Sequence, residues 1–188
     1  MVHNYYERQL VYHGAPTLKG IKAGSMIALK VSEQASLEEF FRKYQGLFAD
    51  QGIEYIQLMR QKQHILMLFY RPDMLGRMLS RPLARAILQE YGYSLDEGLR
   101  SMLNRLLERM EECDGFPHEI GLFLGYPPQD VQGFIEHKGH NFLFCGFWKV
   151  YANEAAVKRL FQCYNDCINK MWSRLLAGES LQEAIMAA

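Results

Sequence analysis

The sequence lacks an excess of charge of either sign, and it also lacks long apolar runs. Its 21 basic residues balance 21 acidic residues, so no global electrostatic field would draw the protein onto nucleic acid or an anionic membrane. No uncharged run approaches the roughly 20 apolar residues that a membrane-spanning helix needs. We therefore predict that neither nucleic acid nor a membrane is a partner of this protein.

The sequence is also poor in cysteine and has no recognisable secretory signal. The first residues, Met1 to Arg8, do not combine a basic start with the apolar run of a signal peptide. The chain has 4 cysteines among 188 residues, which is too few for a disulfide framework in a protein of this size. Both observations predict a reduced, cytoplasmic protein.

The composition is sufficient for a large core. Hydrophobic residues make up 49% of the chain and charged residues 22%, the balance of a soluble globular protein. The length fits one domain, and the sequence shows neither a linker rich in Gly, Pro or Ser nor a repeat of 20 to 50 residues. We therefore predict a single α+β domain over residues 1–188.

Apolar periodicity predicts the long helices. An apolar residue recurs every three to four positions over residues 37–48, 95–110 and 157–175, the pattern of an amphipathic helix. Ser36 and Ser94 each precede a glutamate by three residues, which is the spacing of a capping box and predicts that they are N-caps.

The two ends of the chain differ in pattern. Residues 1–24 carry glycines and Pro16 among scattered apolar positions, so they predict an irregular or extended segment. Residues 153–188 predict a C-terminal helical segment, with Gly178 as a cap.

β-rich runs predict the strands. Residues 25–31 form one run, and residues 53–59 and 64–70 read as a hairpin. Residues 119–124 and 141–151 are two further candidates. Strands and helices are interspersed, which favours a mixed or antiparallel sheet of about five strands with helices packed on it.

The most informative of these runs is the last. Residues 142–151 are apolar on both predicted faces, which indicates a buried, central strand that includes Cys145. Lys149 would then bring a positive charge into a buried strand. Unless the strand is at a sheet edge and the ammonium reaches water, Lys149 needs a carboxylate or an anionic ligand. Gly146 would let another backbone or a flat ligand approach Trp148.

A second group of candidates lies around residues 116–130. His118 and Glu119 precede the predicted strand 119–124, where an imidazole and a carboxylate can supply a general base or a metal ligand. A surface histidine beside a solvated glutamate is the commoner alternative. The turn that follows contains Tyr126, and its free backbone N–H groups could hold an anion, although tight turning explains the turn equally well.

Two arrangements of histidine and cysteine could suggest a metal. His137 and His140 lie near Cys145 in sequence, but their spacing matches no standard zinc motif. Cys163 and Cys167 are one helical turn apart, where small core residues are the commoner interpretation. We predict no metal site, and the residues identify no particular cofactor.

Three segments carry a resemblance to a known family: Ala15–Lys22, Phe116–Tyr126 and Cys145–Tyr151. Together they resemble an uncharacterised bacterial family, domain-of-unknown-function family 3793, found mainly in anaerobes. The resemblance spans almost the whole chain and implies no established activity. A cysteine often precedes the Ala-Pro-Thr-Leu segment in that family, where this sequence has His13 and Gly14. Its association with flavodoxin-like and metal-handling genes implies a link to redox or cofactor work.

The first functional hypothesis is a binding or accessory protein for an anionic or aromatic small molecule or cofactor. Its pocket would lie between the segment 1–24 and the two last predicted strands. Lys149 and His118 would contact the charge of the ligand. Tyr126 and Trp148 would supply flat apolar surface.

Two alternatives come from other classes. One is a thiol or acid–base enzyme with Cys145 as nucleophile or redox thiol, His118 as base and Glu119 as its orienting group. The predicted burial of Cys145 weighs against it, because burial raises a thiol pKa. The other is a protein-interaction domain whose exposed Met and aromatic residues contact a partner, such as a redox protein.

Overall fold

The computed structural model describes residues 5–31 and 34–187, with only the backbone of Gln34 and Ala35. Its contacts divide the chain into two compact units: the described residues of Met1–Arg71 together with Cys163–Ala188, and Pro72–Gln162. Helices and antiparallel strands are both present, which confirms the α+β class. The single domain over residues 1–188 stays a prediction.

The first unit is built on a three-stranded antiparallel sheet with strand order β1-β3-β2. Its elements before residue 72 are α1 (Tyr5–Leu18), β1 (Gly24–Lys30), α2 (Gln34–Asp50), β2 (Glu54–Arg60) and β3 (His64–Tyr70). The helices and the sheet share one buried apolar cluster that includes Leu10, Ile27, Phe40, Phe69 and Met171. The predicted hairpin of β2 and β3 is confirmed.

The second unit is mainly helical. Its elements are α3 (Pro72–Leu79), α4 (Pro82–Glu90), α5 (Gly98–Glu112), α6 (Ile120–Phe123), α7 (Pro128–Glu136), β4 (Phe144–Cys145) and β5 (Lys149–Val150). A proline opens α4 and another opens α7, as expected for a residue that has no N–H to leave unpaired in the first turn.

Two helices follow. The long helix α8 (Glu154–Leu176) begins in the second unit and continues into the first, and α9 (Leu181–Met186) ends the described chain. Gly178 adopts a φ of +92° after α8, so its predicted role after the end of that helix is confirmed. Ser180 and Glu183 form a capping box at α9. No helix of the described residues is both long and apolar enough to cross a membrane.

The irregular segment predicted for residues 1–24 is wrong over most of its described part, because residues 5–18 form α1. Gly14 lies where the helix meets the sheet, and a Cβ there would be 3.1 Å from Cδ1 of Ile27. Pro16 lies in the last turn, and its carbonyl oxygen accepts hydrogen bonds from the backbone amides of Ile21 and Lys22. Burial of one face of α1 therefore outweighs the weak helix propensity of these residues.

Arg71, directly after β3, fastens the end of α1. Its guanidinium donates hydrogen bonds of 2.6 to 2.7 Å to the carbonyl oxygens of Thr17, Leu18 and Gln51. Thr17 and Leu18 end α1 and Gln51 directly follows α2, so these carbonyls lie where helical hydrogen bonding stops. Burial lowers the pKa of Arg71 from its usual value.

Both predicted N-caps at Ser36 and Ser94 are wrong. Ser36 lies inside α2, which already begins at Gln34. Ser94 lies before α5, whose N-cap is Glu97 without a side-chain cap bond. Gly98, the first residue of α5, has a φ of +82°, a conformation outside the right-handed helix, so regular helical φ begins only after it.

The sheet of about five strands is also wrong, because the described residues form one three-stranded and one two-stranded sheet. The strand predicted over 119–124 is the short helix α6, and every residue of α6 is buried. A short apolar run fits a buried helical turn as well as a strand. The strand predicted over 141–151 is instead a hairpin in which β4 pairs with β5.

Candidate functional site

The second unit contains an apolar cavity of about 440 Å³. Residues from three stretches of chain line it: 116–121 around α6, 126–134 around α7, and 145–149 in the β4–β5 hairpin. Ligand cavities in proteins span roughly 300 to 1,000 Å³. The space is therefore large enough for a small organic molecule.

A pair of stacked aromatic rings forms one wall of the cavity. The rings of Tyr126 and Trp148 have centroids 4.5 Å apart and an interplanar angle of 25°. Phe161 meets Trp148 edge-on, with centroids 4.5 Å apart at 90°. Burial raises the pKa of Tyr126 to about 12, so its phenol is neutral at physiological pH. The wall is aromatic and uncharged.

Asp130 holds this wall in place from the first turn of α7. Its side chain is buried, and Oδ2 accepts a hydrogen bond of 2.7 Å from the indole Nε1 of Trp148. Oδ1 accepts hydrogen bonds from the backbone amides of Tyr151 at 2.8 Å and Ala152 at 3.0 Å. One carboxylate thus ties both Trp148 and the chain after β5 to α7.

Two glycines allow the close packing behind the cavity. A Cβ at Gly121 would be 2.9 Å from Cγ2 of Val131. A Cβ at Gly146 would be 2.3 Å from the ring of Phe161. The neighbour that requires a glycine at position 146 is therefore Phe161, and this packing explains Gly146 without a ligand.

Lys149 and His118 supply polar groups to the cavity. The ammonium of half-buried Lys149 donates a hydrogen bond of 2.8 Å to the carbonyl oxygen of Gly139. The same Nζ lies 5.1 Å from the ring centroid of Phe142 and 5.8 Å from that of Phe134. The imidazole of His118 meets the ring of Phe134 edge-on, with centroids 5.1 Å apart.

The structure brings five of the candidate residues together. His118, Tyr126, Cys145, Trp148 and Lys149 all line the cavity. The residues that line it fall between positions 116 and 149, so the segment at the N-terminus is not needed to form it. The binding roles of the five residues stay predictions.

Glu119 lies apart from these five. Its side chain is fully buried, and Oε1 accepts hydrogen bonds of 2.9 Å from Nε of Arg109 and 3.2 Å from the hydroxyl of Tyr93. Burial, together with the carboxylate of Glu119, raises the pKa of Tyr93. Within the described residues no contact supports the prediction that Glu119 orients His118, and Oε2 has no partner there.

The cysteines and histidines are dispersed. Cys145 is exposed, so its predicted burial is wrong. Cys163 is also exposed, whereas Cys167 is buried and burial raises the pKa of its thiol. His137 stacks on Tyr151 with centroids 5.7 Å apart. Among the residues that the structure describes, no three His, Cys, Asp or Glu side chains are grouped so as to hold a metal ion.

Three residues of the site were not assigned from the sequence: Asp130, Phe134 and Phe161. An acid in the first turn of a helix is ordinarily explained by the helix dipole, so the sequence offered no signal that Asp130 binds Trp148. Phe134 and Phe161 belong to amphipathic helices, where an aromatic residue indicates core packing. Phe134 lines the cavity and Phe161 packs against Trp148, and only the tertiary structure reveals both contacts.

Comparison with known proteins identifies one family. The family described as "Protein of unknown function (DUF3793)" matches residues 10–185. The search of curated proteins and the search of solved structures each found no match. Because the match covers nearly all of the 188 residues, the chain belongs to the DUF3793 family.

Proposed function

We propose that this protein binds an anionic or aromatic small molecule in the cavity between residues 116 and 149, as a binding or accessory protein. The observation that carries this proposal is an apolar cavity of about 440 Å³ whose aromatic wall is already fixed by the hydrogen bond from Trp148 to Asp130. A wall held in place in advance loses little conformational entropy when a ligand binds.

The distribution of polar groups supports the same proposal. Ligand cavities are mainly apolar, with a few polar groups that set the orientation of the ligand. Here Lys149 and His118 are such groups, beside aromatic side chains. The carboxylate of Asp130 is already engaged by three N–H donors, so it is part of the framework of the cavity.

We expect Trp148 to report ligand binding directly. The chain has two tryptophans, and the other, Trp172, lies in the first unit next to Tyr12. In a Trp172→Phe variant, anthracene-9-carboxylate should quench the emission of Trp148 saturably, because the probe absorbs where tryptophan emits. In a Trp148→Phe variant, any remaining quenching comes from Trp172 and is subtracted.

Calorimetric titration of the unmodified protein provides an independent measurement of the same binding. The proposal would be rejected by an absence of binding heat and an unchanged melting temperature across aromatic acids and common cofactors.

A second candidate function, a thiol enzyme, is favoured by one observation: Cys145 is exposed and lines the cavity together with His118. If this thiol is a nucleophile, iodoacetamide should modify Cys145 at least about tenfold faster than Cys163, an exposed cysteine that serves as the matched control. Cys167 should react slowest, because burial raises its pKa. Peptide mapping by mass spectrometry measures all three rates, and equal rates at Cys145 and Cys163 would exclude the thiol mechanism.

A further inference from the structure

We infer that the ligand of this cavity is a planar aromatic anion of two or three fused rings with one acidic group, and that the acidic group binds the ammonium of Lys149. This inference rests on the proposed function and adds the charge, size and orientation of the ligand.

The charge follows from the surroundings of Lys149. An ammonium has three N–H donors, and within the described residues the one acceptor of Lys149 is the carbonyl oxygen of Gly139. The rings of Phe134 and Phe142 stabilise the cation without neutralising it. No described carboxylate lies within ion-pair distance of Lys149, in contrast to Lys158, which pairs with Glu154 at 2.6 Å.

The carboxylate in the lining of the cavity does not pair with Lys149. Among the residues that line the cavity, the one carboxylate is Asp130, and its two oxygens accept hydrogen bonds from Trp148, Tyr151 and Ala152. A half-buried cation beside an apolar cavity favours an anionic partner, because charge-assisted hydrogen bonds strengthen where water is excluded.

A polyphosphate is a poor match for this cavity. Such ligands rely on several cationic donors or on free amides at a helix N-terminus. Lys149 and His118 are the basic side chains in the lining. Pro127 is the N-cap of α7 and Pro128 its first residue, and neither nitrogen carries a hydrogen. The site therefore suits a single acidic group such as a carboxylate.

The size follows from the volume. A cavity of about 150 Å³ holds one benzene ring, and this cavity, with about 440 Å³, has roughly three times that space. The aromatic side chains of Tyr126, Phe134 and Trp148 in the lining favour a planar aromatic body over a branched aliphatic one. Two or three fused rings satisfy both conditions.

The experiment compares matched probes on the full chain by calorimetric titration. Anthracene-9-carboxylate carries the acid, anthracene-9-carboxamide is its neutral counterpart, and benzoate is the one-ring acid. The unmodified protein should bind the carboxylate about tenfold to a hundredfold more tightly than the carboxamide, the range for hydrogen bonds to charged groups. Benzoate should bind more weakly than either anthracene probe.

Substitutions of Lys149 test whether its ammonium binds the acidic group of the probe. Lys149→Met should remove the preference for the carboxylate by weakening carboxylate binding much more than carboxamide binding, while Lys149→Arg should retain part of the preference. The matched control is Lys158→Met, because Lys158 also lies over an aromatic ring, 5.2 Å from the centroid of Phe144, but does not line the cavity. This control should bind both probes as the unmodified protein does. Melting curves confirm that each variant is folded.

The outcomes separate the inference from the proposed function. Equal binding of carboxylate and carboxamide, or an unchanged preference in folded Lys149→Met, overturns the anionic ligand and leaves the binding function intact. Benzoate that binds as tightly as the anthracene acid overturns the fused-ring size. If the unmodified protein binds none of the three probes, the inference fails, and the proposed function fails with it only when the wider set of aromatic acids and common cofactors also gives no binding.

Discussion

Asp130→Ala should lower the free energy of unfolding by about 3 to 5 kcal/mol. The carboxylate is 1% exposed and accepts hydrogen bonds from the indole of Trp148 and the amides of Tyr151 and Ala152. Each buried donor left without an acceptor costs about 1 to 3 kcal/mol. The three losses are not fully additive, because water can enter the space left by the carboxylate.

Chemical denaturation followed by circular dichroism measures this loss. In the Trp172→Phe background, the emission of Trp148 should also move to longer wavelength when its buried environment loosens. Asp96→Ala is the matched control, since the Asp96 side chain is 95% exposed and forms a long ion pair with Arg85 at 3.6 Å. The control should change stability by less than about 0.5 kcal/mol. A loss below about 1 kcal/mol for Asp130→Ala would contradict the structural role of its carboxylate.

Gly133→Ala should destabilise the protein by about 1 to 3 kcal/mol, although alanine is the better helix former by about 1 kcal/mol. Gly133 lies inside α7, and a Cβ at this position would be 2.5 Å from both Cβ and Cγ of Tyr151. The Cβ of Tyr151 can move only with its backbone, which Asp130 holds through the amide. The extra methyl group would therefore push α7 away from the chain after β5.

A second glycine in a helix isolates this steric effect. Gly46 lies inside α2, and a Cβ there would meet nothing within 4 Å. Gly46→Ala should raise the melting temperature, because the gain in helix propensity meets no steric cost. Thermal unfolding of both variants should show a lower melting temperature for Gly133→Ala and a higher one for Gly46→Ala. A stabilising Gly133→Ala would show that Tyr151 packs less tightly against α7 than the structure indicates.

Elements with a strong local pattern were predictable from the sequence. The helix α2 repeats its apolar residues at helical spacing, and β2 and β3 are adjacent β-rich runs joined by a short polar turn. In each case the physical cause lies within a few residues of the element.

Elements whose stability comes from distant contacts were not predictable in this way. Gly14 and Pro16 weaken α1 locally, yet the helix forms because its buried face packs in the core of the first unit. The run at α6 is too short for its periodicity to distinguish a strand from a buried helical turn. Cys145 is exposed because the chain turns back after β4 instead of continuing through a sheet.

For the candidate site, too, the sequence indicated some features and the tertiary structure decided others. The sequence by itself indicated His118, Tyr126, Cys145, Trp148 and Lys149, because an imidazole, a thiol, a lysine in an apolar run and aromatic rings near glycines are unusual in their local context. Their meeting around one cavity was decided by the tertiary structure.

The tertiary structure also decided the roles of the residues around that cavity. It brought Glu119 into a hydrogen bond with Arg109. It also brought Asp130 to the indole of Trp148, which the carboxylate holds in place. The physical reason is that residue chemistry and periodicity are local properties. The partner of a buried carboxylate and the closing of a cavity, in contrast, depend on which distant segments the hydrophobic core brings into contact.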